Sequence, residues 1–141
     1  MRIVLDTNVL VSALITSGTP PGLLYESWRR RGFQLVTSRP QIAELTRVLA
    51  YERLRPYIRP AEAQTLSATI DAAAIVVDAL PDIRLSVDPD DNAILATAIA
   101  AGADLIVTGD KSHLLSLESA QGIPIVTPRV ALRYLGERPA E

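Results

Sequence analysis

The residues of this chain that could do chemistry are carboxylates placed close to short apolar segments. Asp6 directly follows the first apolar run, and Asp110 lies two residues beyond a later one. Glu44 and Asp91 fall inside predicted helices, Asp91 beside the apolar stripe of its helix. Two carboxylates ~4 Å apart repel by about 4 kcal/mol at an effective dielectric of ~20, so convergence of these acids requires a cation. Oxygen ligands without sulfur select Mg²⁺ or Mn²⁺.

Composition excludes several other kinds of site. The chain has 141 residues, no cysteine and one histidine, which excludes disulfides, thiolate catalysis, iron–sulfur clusters and cysteine-bound zinc. We interpret His113 as a solvated loop residue. Hydrophobic residues make up 48% and charged residues 21%, so we expect one globular domain over 1–141. No apolar run reaches the ~18 residues of a membrane span, and Asp6 comes too early for a signal peptide. We therefore expect a cytoplasmic protein without membrane contact.

Charge is distributed unevenly along the chain. Residues 1–60 hold nine arginines against four acids, whereas residues 61–141 hold five basic residues against twelve acids. The planar donor fork of arginine matches phosphate, which favours a polyanionic partner, although a general preference for arginine explains the bias equally well. With six aromatic residues, no base-stacking platform is evident. A solvated helix end suits the run at 29–31 as well as RNA contact does. The candidates for contact with an RNA backbone or an acidic antitoxin segment are Arg29, Arg30, Arg31, Arg39, Arg47, Arg53, Arg55 and Arg59.

The elements that must position the acids alternate between short apolar strands and helices. We predict strands near 3–5, 34–37, 75–77, 104–108 and 125–126, and helices near 7–15, 23–31, 38–49, 51–58, 60–74, 90–102 and 128–135. This alternation predicts a three-layer α/β/α fold with a short central parallel sheet. Sites in such sheets form outside the carboxyl ends of the strands, where Asp6 and Asp110 are both expected.

Cap signals mark two of the predicted helices. Ser38 and Gln41 have the spacing of a capping box. Asp88 or Asp90 is expected to cap the helix that follows it. Asp104 is expected to begin its strand at the opposite edge of the sheet from the candidate site.

Four blocks of the sequence resemble the motifs of PIN-domain ribonucleases. Residues 3–12 resemble the opening motif of the family, Glu44 matches its second acid, and residues 88–98 and 103–111 resemble its third and fourth blocks. The blocks come in the family's order and cover nearly the whole chain. Within the family the sequence is most similar to small bacterial, VapC-like toxin components of type II toxin–antitoxin systems.

This resemblance implies a function and a set of site residues. It implies an endoribonuclease that hydrolyses RNA phosphodiester bonds with Mg²⁺ or Mn²⁺ held by Asp6, Glu44, Asp91 and Asp110. Supporting residues, which orient carboxylates or contact phosphate, are implied to be Thr7, Asn8 and Thr108. A homodimer and an inhibitory antitoxin partner are also implied.

Several alternatives stay open at this point. Asp90 is close enough to share the role given to Asp91, and Asp91 or Glu44 taken alone also suits an ordinary helix position. A haloacid-dehalogenase-like phosphatase also begins with an acid after the first strand, but it needs a second acid where Asn8 stands. A receiver domain needs paired N-terminal acids. A catalytically silent PIN-like module that binds RNA or protein is the remaining alternative.

Overall fold

A twisted sheet forms the centre of the protein in the computed structural model, which describes residues 1–109 and 113–136. Its six strands within that part of the chain are β1 (Arg2–Leu5), β2 (Gln34–Ser38), β3 (Ile75–Val77), β4 (Leu105–Val107), β5 (Ser119–Ala120) and β6 (Ile123–Val126). They are arranged in the order β3-β2-β1-β4-β6-β5. All neighbours pair in parallel except β5, which pairs antiparallel with β6.

Helices connect the strands and cover both faces of the sheet. Over the described residues they are α1 (Thr7–Ile15), α2 (Pro20–Arg29), α3 (Arg39–Leu49), α4 (Pro60–Ala73), α5 (Pro89–Ala101), α6 (His113–Leu117) and α7 (Pro128–Tyr134), with one 3₁₀ turn at Glu52–Leu54. The first four helices and α7 contribute to the core on one face, and α5 and α6 to the core on the other. The predicted three-layer α/β/α fold is therefore confirmed. None of the described helices is long and apolar enough to cross a bilayer.

The central strand β1 supplies side chains to both layers. Ile3 and Leu5 point into the core under α1 and α2, whereas Val4 points into the core under α5, and all three are buried. A strand buried on both faces reads as a continuous apolar run, which is why three consecutive apolar residues marked it in the sequence. The acid that ends this run is consequently held at a fixed point of the sheet's carboxyl edge.

The predicted capping box at the start of α3 is wrong. Ser38 occupies the N-cap position, but its side chain makes no cap hydrogen bond. Its hydroxyl is instead bonded to the Thr97 hydroxyl of α5 at 2.8 Å. The Gln41 amide donates to the Leu5 carbonyl at 3.4 Å. Both polar side chains are buried, and tertiary partners from the sheet and α5 replace the local cap.

Two helix boundaries also differ from the prediction. Helix α2 begins at Pro20 rather than near residue 23, because proline is well suited to the first turn, where its missing N–H has no partner to lose. The predicted helix over 51–58 is reduced to a single 3₁₀ turn, since Pro56 cannot continue a helix. Helix α2 ends at Arg29, and Arg31, two residues later, is in the left-handed region at φ 64°, one residue before the predicted stop at Gly32.

Short elements of the last third were not predicted. Strand β5 has two residues and α6 has five, which is too short for a hydrophobic period to show. The predicted turn at 109–111 falls largely on residues outside the described part of the chain. The predicted cap of α5 is confirmed, because the Asp88 carboxylate accepts from the Asp90 N–H at 2.9 Å. Asp104 lies one residue before β4 instead of beginning it, and its carboxylate accepts from the Arg2 N–H at 2.7 Å.

Candidate active site

The register between β1 and β4 fixes the first acid of the site. Leu5 lies opposite Val107, so the residues that follow them, Asp6 and Thr108, are neighbours at the carboxyl edge of the sheet. The Thr108 hydroxyl donates to Asp6 Oδ2 at 2.7 Å, and both residues are buried. The bond joins residues 102 positions apart. Thr108 therefore contacts the Asp6 carboxylate directly, and its role at the site stays a prediction.

The second acid comes from α3, which leaves the carboxyl end of the neighbouring strand β2. Glu44 is half-buried on the side of α3 that faces α1. Thr7, at the first position of α1, lines the same cavity. Its side chain lowers the pKa of Glu44 and its backbone lowers the pKa of Asp6, in each case against the larger effect of burial.

The third acid lies in the first turn of α5 and is held by the loop that precedes it. Asp91 is buried, and the Ser86 hydroxyl contacts its Oδ2 at 3.3 Å. Asn92 fastens this loop through both ends of its amide, accepting from the Ser86 N–H and donating to the Ser86 carbonyl, each at 2.8 Å. The sequence pattern gave no indication of this clamp, because it depends on the path of an irregular loop.

These acids line one cavity of about 440 Å³ at the carboxyl edge of the sheet. The carboxylates that face it come from three separate elements and from the loop before α5. They are Asp6, Glu44, Asp88, Asp90 and Asp91. The structure therefore brings together three of the four predicted ligands, and the fourth, Asp110, lies outside the described residues.

The electrostatics of Asp6 are those of a buried acid among other acids. Burial raises the pKa of the Asp6 carboxyl above its ordinary value, and the nearby charges of Asp88 and Asp90 raise it further. The hydrogen bond from Thr108 opposes this rise. Desolvation disfavours the charged form, whereas donors that point at the carboxylate favour it. The site thus keeps an acid in a place where its charge is costly.

The two other acids are affected in the same way. Burial raises the pKa of Glu44, and the charges of Asp90 and Asp6 add to this effect. Burial likewise raises the pKa of Asp91, followed by the charge of Asp88 and, more weakly, that of Asp6. Each of the three predicted ligands is therefore coupled to at least one other acid of the cavity. A bound cation would relieve this shared repulsion.

The donor chemistry suits a hard divalent cation, but the acids do not form a closed set of ligands. Every acidic donor facing the cavity is a carboxylate oxygen, which is what Mg²⁺ and Mn²⁺ prefer. Among residues 1–109 and 113–136, however, no group of three or more His, Cys, Asp or Glu side chains stands in an arrangement that could hold one metal ion. Asp110 lies outside these residues.

Asp90 and Asp91 differ in their surroundings. Asp91 is buried and coupled to Asp6, whereas Asp90 is exposed and forms an ion pair with Arg47 at 3.7 Å. Both line the cavity. The burial favours Asp91 as the ligand, and the ion pair gives Asp90 a partner of its own.

Several other residues line the cavity. The Asn8 side chain lies there against Gly109, where an added Cβ would come within 3.2 Å of Asn8 Nδ2. His113 is exposed as predicted, but it begins α6 instead of lying in a loop, and it also faces the cavity. Arg53 is a further lining residue, and its position was not predicted because it lies in a segment without a clear motif.

Four of the candidates for RNA contact, Arg29, Arg30, Arg31 and Arg39, are not part of this cavity. Arg29 is the last residue of α2, and Arg30 and Arg31 follow it just before β2 begins, which places all three at the opposite edge of the sheet from Asp6. Arg39 begins α3 and pairs with acids of its own, Asp71 and Asp78. A positively charged run in the sequence was therefore a poor guide to the charges near the site.

Comparisons with known proteins agree with this fold. The sequence model of the PIN domain matches residues 2–112, and the chain belongs to this family. PIN domains are generally nucleases. The fold is similar to a chain in the crystal structure of VapBC2 from Rickettsia felis bound to a DNA fragment from their promoter, with a TM-score of 0.57 and 15% identity over 90% of this chain and 98% of that one. A comparison with curated protein sequences finds no match.

Proposed function

We propose that the protein is a metal-dependent endoribonuclease that hydrolyses RNA phosphodiester bonds. The observation that carries this proposal is the convergence of Asp6, Glu44 and Asp91, from three separate elements, on one cavity at the carboxyl edge of the sheet. Their mutual repulsion costs stability and has no evident structural purpose, which is typical of a functional site. Membership of a family whose members are generally nucleases supports the same reading.

The residues proposed to hold the cation are Asp6 and Asp91, with Glu44 and Asp110 completing the site. The cation is proposed to be Mg²⁺ or Mn²⁺ because the donors are carboxylate oxygens. When bound, such a cation offsets charge on the phosphate and makes a neighbouring water more acidic. The carboxylates must be ionised to bind the cation, so hydrogen-bond donors that favour their charged form support cation binding.

The hydroxyl and amide side chains around the acids have supporting roles in this proposal. The Thr108 hydroxyl donates to Asp6 and lowers its pKa against the effect of burial, and the Thr7 side chain has the same direction of effect on Glu44. Ser86 contacts Asp91 from the loop before α5. The Asn8 amide at the cavity wall has a donor that can bind a phosphate oxygen. Outer partners of this kind fix the direction of metal ligands.

The test is cleavage of a labelled single-stranded RNA by the purified protein with Mn²⁺ or with a chelator. We expect cleavage only with the metal, and a loss of at least about 100-fold in Asp6→Asn and Asp91→Asn. The matched control is Asp104→Asn, the same chemical change at the opposite edge of the sheet, which should keep its activity. Equal cleavage by Asp6→Asn and the parent protein would contradict the proposal.

A second measurement separates metal binding from catalysis. Ligand at about 100 times its dissociation constant stabilises a folded protein by about 2.7 kcal/mol, so Mn²⁺ should raise the melting temperature of the parent. The same addition should have little effect on Asp6→Asn. This readout does not depend on which RNA is the substrate.

We also propose that the nuclease is the toxin of a type II toxin–antitoxin pair, acting in the cytoplasm as a homodimer. The similarity of its fold to that of a chain in the VapBC2 structure supports this assignment. Expression of the protein alone should arrest growth, and Asp6→Asn should relieve the arrest. A small DNA-binding protein encoded just upstream should bind the toxin and restore growth when both are expressed.

One observation favours a second candidate, a catalytically silent PIN-like module that binds RNA or protein. The described acids, taken without Asp110, do not form a set that could hold one metal ion. RNA binding that survives a chelator, together with no cleavage after Mn²⁺ is added, would assign this function instead.

A further inference from the structure

The segment between α3 and α4 carries aromatic and arginine side chains at every second position. These residues, in chain order, are Tyr51, Arg53, Arg55, Tyr57 and Arg59. Between them lie Glu52 and Pro56, which are exposed, Leu54, which is half-buried, and Ile58, which is buried. Leu54 and Ile58 thus face the protein, whereas the rings and the arginines lie on the exposed side of the segment.

Hydrogen bonds hold this segment in a defined conformation. The backbone N–H groups of Tyr57 and Ile58 donate to the Leu54 carbonyl at 2.9 and 2.8 Å. Leu54 and Ile58 both pack into the core under α3 and α4. As a result the Tyr57 ring is 63% exposed on a segment that is itself anchored, an unusual position for a large aromatic residue.

The segment also separates two cavities. Arg53 and Leu54 line the acidic cavity, whereas Arg55 and Ile58 line a groove of about 500 Å³ between α3 and α4. Arg53 is the only Arg or Lys among the described residues that line the acidic cavity. Its guanidinium carbon lies 4.9 Å from the centre of the Tyr51 ring, a cation–π contact that holds the charge at the rim.

We propose that the exposed side of residues 51–57 is the surface that binds single-stranded RNA next to the acidic cavity. A cavity lined by carboxylates repels a polyanion, so the approaching strand needs positive charge at the rim. Arg53 and Arg55 supply this charge on the two sides of the segment, and the exposed Tyr57 ring offers a base a face to stack on. Arginines interleaved with aromatic rings are typical of surfaces that bind single strands.

This surface suits a nucleic acid better than an acidic protein segment. Arginines alone are enough to bind an acidic peptide, whereas the exposed ring of Tyr57 adds a flat face on which a nucleobase can stack. Arg59 is left out of the surface because it forms an ion pair with Glu62 at 3.1 Å. The choice of RNA rests on the proposed function, but binding to the strand can be measured without cleavage.

The experiment measures binding of a fluorescent single-stranded RNA of mixed sequence by anisotropy, in chelator and at several salt concentrations. Each of Arg53→Gln and Arg55→Gln should weaken binding and reduce the magnitude of the salt slope by about 0.7. Tyr57→Leu should weaken binding by about fivefold or more, whereas Tyr57→Phe should bind like the parent because it keeps the ring. The control Arg29→Gln removes the same charge at the opposite edge of the sheet and should change nothing.

The outcomes distinguish this inference from the proposed function. If the variants lose RNA binding as expected but the parent never cleaves RNA with Mn²⁺, the surface is supported and the nuclease is not. If the parent cleaves RNA but Arg53→Gln and Tyr57→Leu bind like Arg29→Gln, the surface is refuted and the nuclease stands. Loss of binding to an acidic peptide with RNA binding intact would assign the surface to a protein partner and overturn the inference. Unchanged melting temperatures confirm that the variants fold.

Discussion

Replacing Thr108 by valine tests whether its hydroxyl keeps the buried Asp6 carboxylate ionised. Valine has nearly the same shape, so the change removes a hydrogen bond of 2.7 Å and leaves the packing in place. A hydrogen bond to a charged group contributes about 1.5–3 kcal/mol, whereas one between neutral groups contributes about 0.5–1.5 kcal/mol. The variant should therefore be less stable by about 1.5–3 kcal/mol at pH values above the folded pKa of Asp6, where the carboxylate is charged.

The pH dependence follows from the direction of the Asp6 pKa. Burial raises the pKa of Asp6 in the folded protein above the ordinary value of 3.8. The folded state therefore binds this proton more tightly, and its contribution to stability is present below pH 3.8 and is lost as pH rises through the folded pKa. Loss of the Thr108 donor raises the folded pKa further. The stability difference between variant and parent should then grow from about 0.5–1.5 kcal/mol in acid to its larger value above the folded pKa.

The assay is urea unfolding without divalent metal, at neutral pH and near pH 4. Thr97→Val is the matched control, because Thr97 is an equally buried threonine whose hydroxyl bonds to Ser38 and the Ala93 carbonyl, which are both neutral. Its destabilisation should be nearly the same at both pH values. A constant difference for Thr108→Val, or the same pH trend in Thr97→Val, would refute the role of Thr108 in supporting a charged Asp6.

Three further perturbations have defined expectations. Asn92→Ala removes two 2.8 Å hydrogen bonds to the loop at Ser86, so the free energy of unfolding should fall by about 1–3 kcal/mol. Mn²⁺ should also bind more weakly in a calorimetric titration, and unchanged values would mean that these bonds do not position Asp91. Gly102→Ala places a side chain at φ 61°, so we expect a loss of about 1 kcal/mol in urea unfolding, whereas no loss would contradict the left-handed C-cap. Mn²⁺ binding should weaken as pH falls from neutral and should release protons, because the raised pKa values of the cavity acids let protons compete with the metal. An affinity that does not change with pH would argue against carboxylate ligands.

The parts of the fold that the sequence predicted are those with strong periodic or punctuating signals. The apolar run before Asp6 marked β1 because a strand buried on both faces has no polar residues to obscure it. The Ala-rich helix ending at Gly102 was marked at both ends by residues that are good caps. The single domain over 1–141 stays a prediction.

Errors occurred where tertiary contacts override local preference. Ser38 and Gln41 have the right spacing for a capping box, but both side chains are buried and have partners on other elements. The position of the acids was easier to predict, because it depends on the sheet and not on local caps. Asp6, Glu44 and Asp91 were found because each lies on or beside an apolar pattern, and an edge of a parallel sheet gathers such residues.

Residues on irregular segments could not be placed in the site by a pattern. Ser86 and Arg53 reach the cavity through the path of a loop and of one 3₁₀ turn, which periodicity does not describe. The basic run that includes Arg29 lies away from the cavity for a related reason, and its contact with RNA stays a prediction. It is prominent in the sequence, but the direction of α2 takes it to the far edge of the sheet.

The contact between Asp6 and Thr108 also has a consequence for biosynthesis. The bond spans 102 residues, and β4 must pair with β1 before it can form. A nascent chain released by the ribosome before β4 is complete therefore lacks the hydroxyl that donates to Asp6. Premature termination products of this protein consequently leave the first carboxylate of the site without this partner, however well their first strands and helices fold.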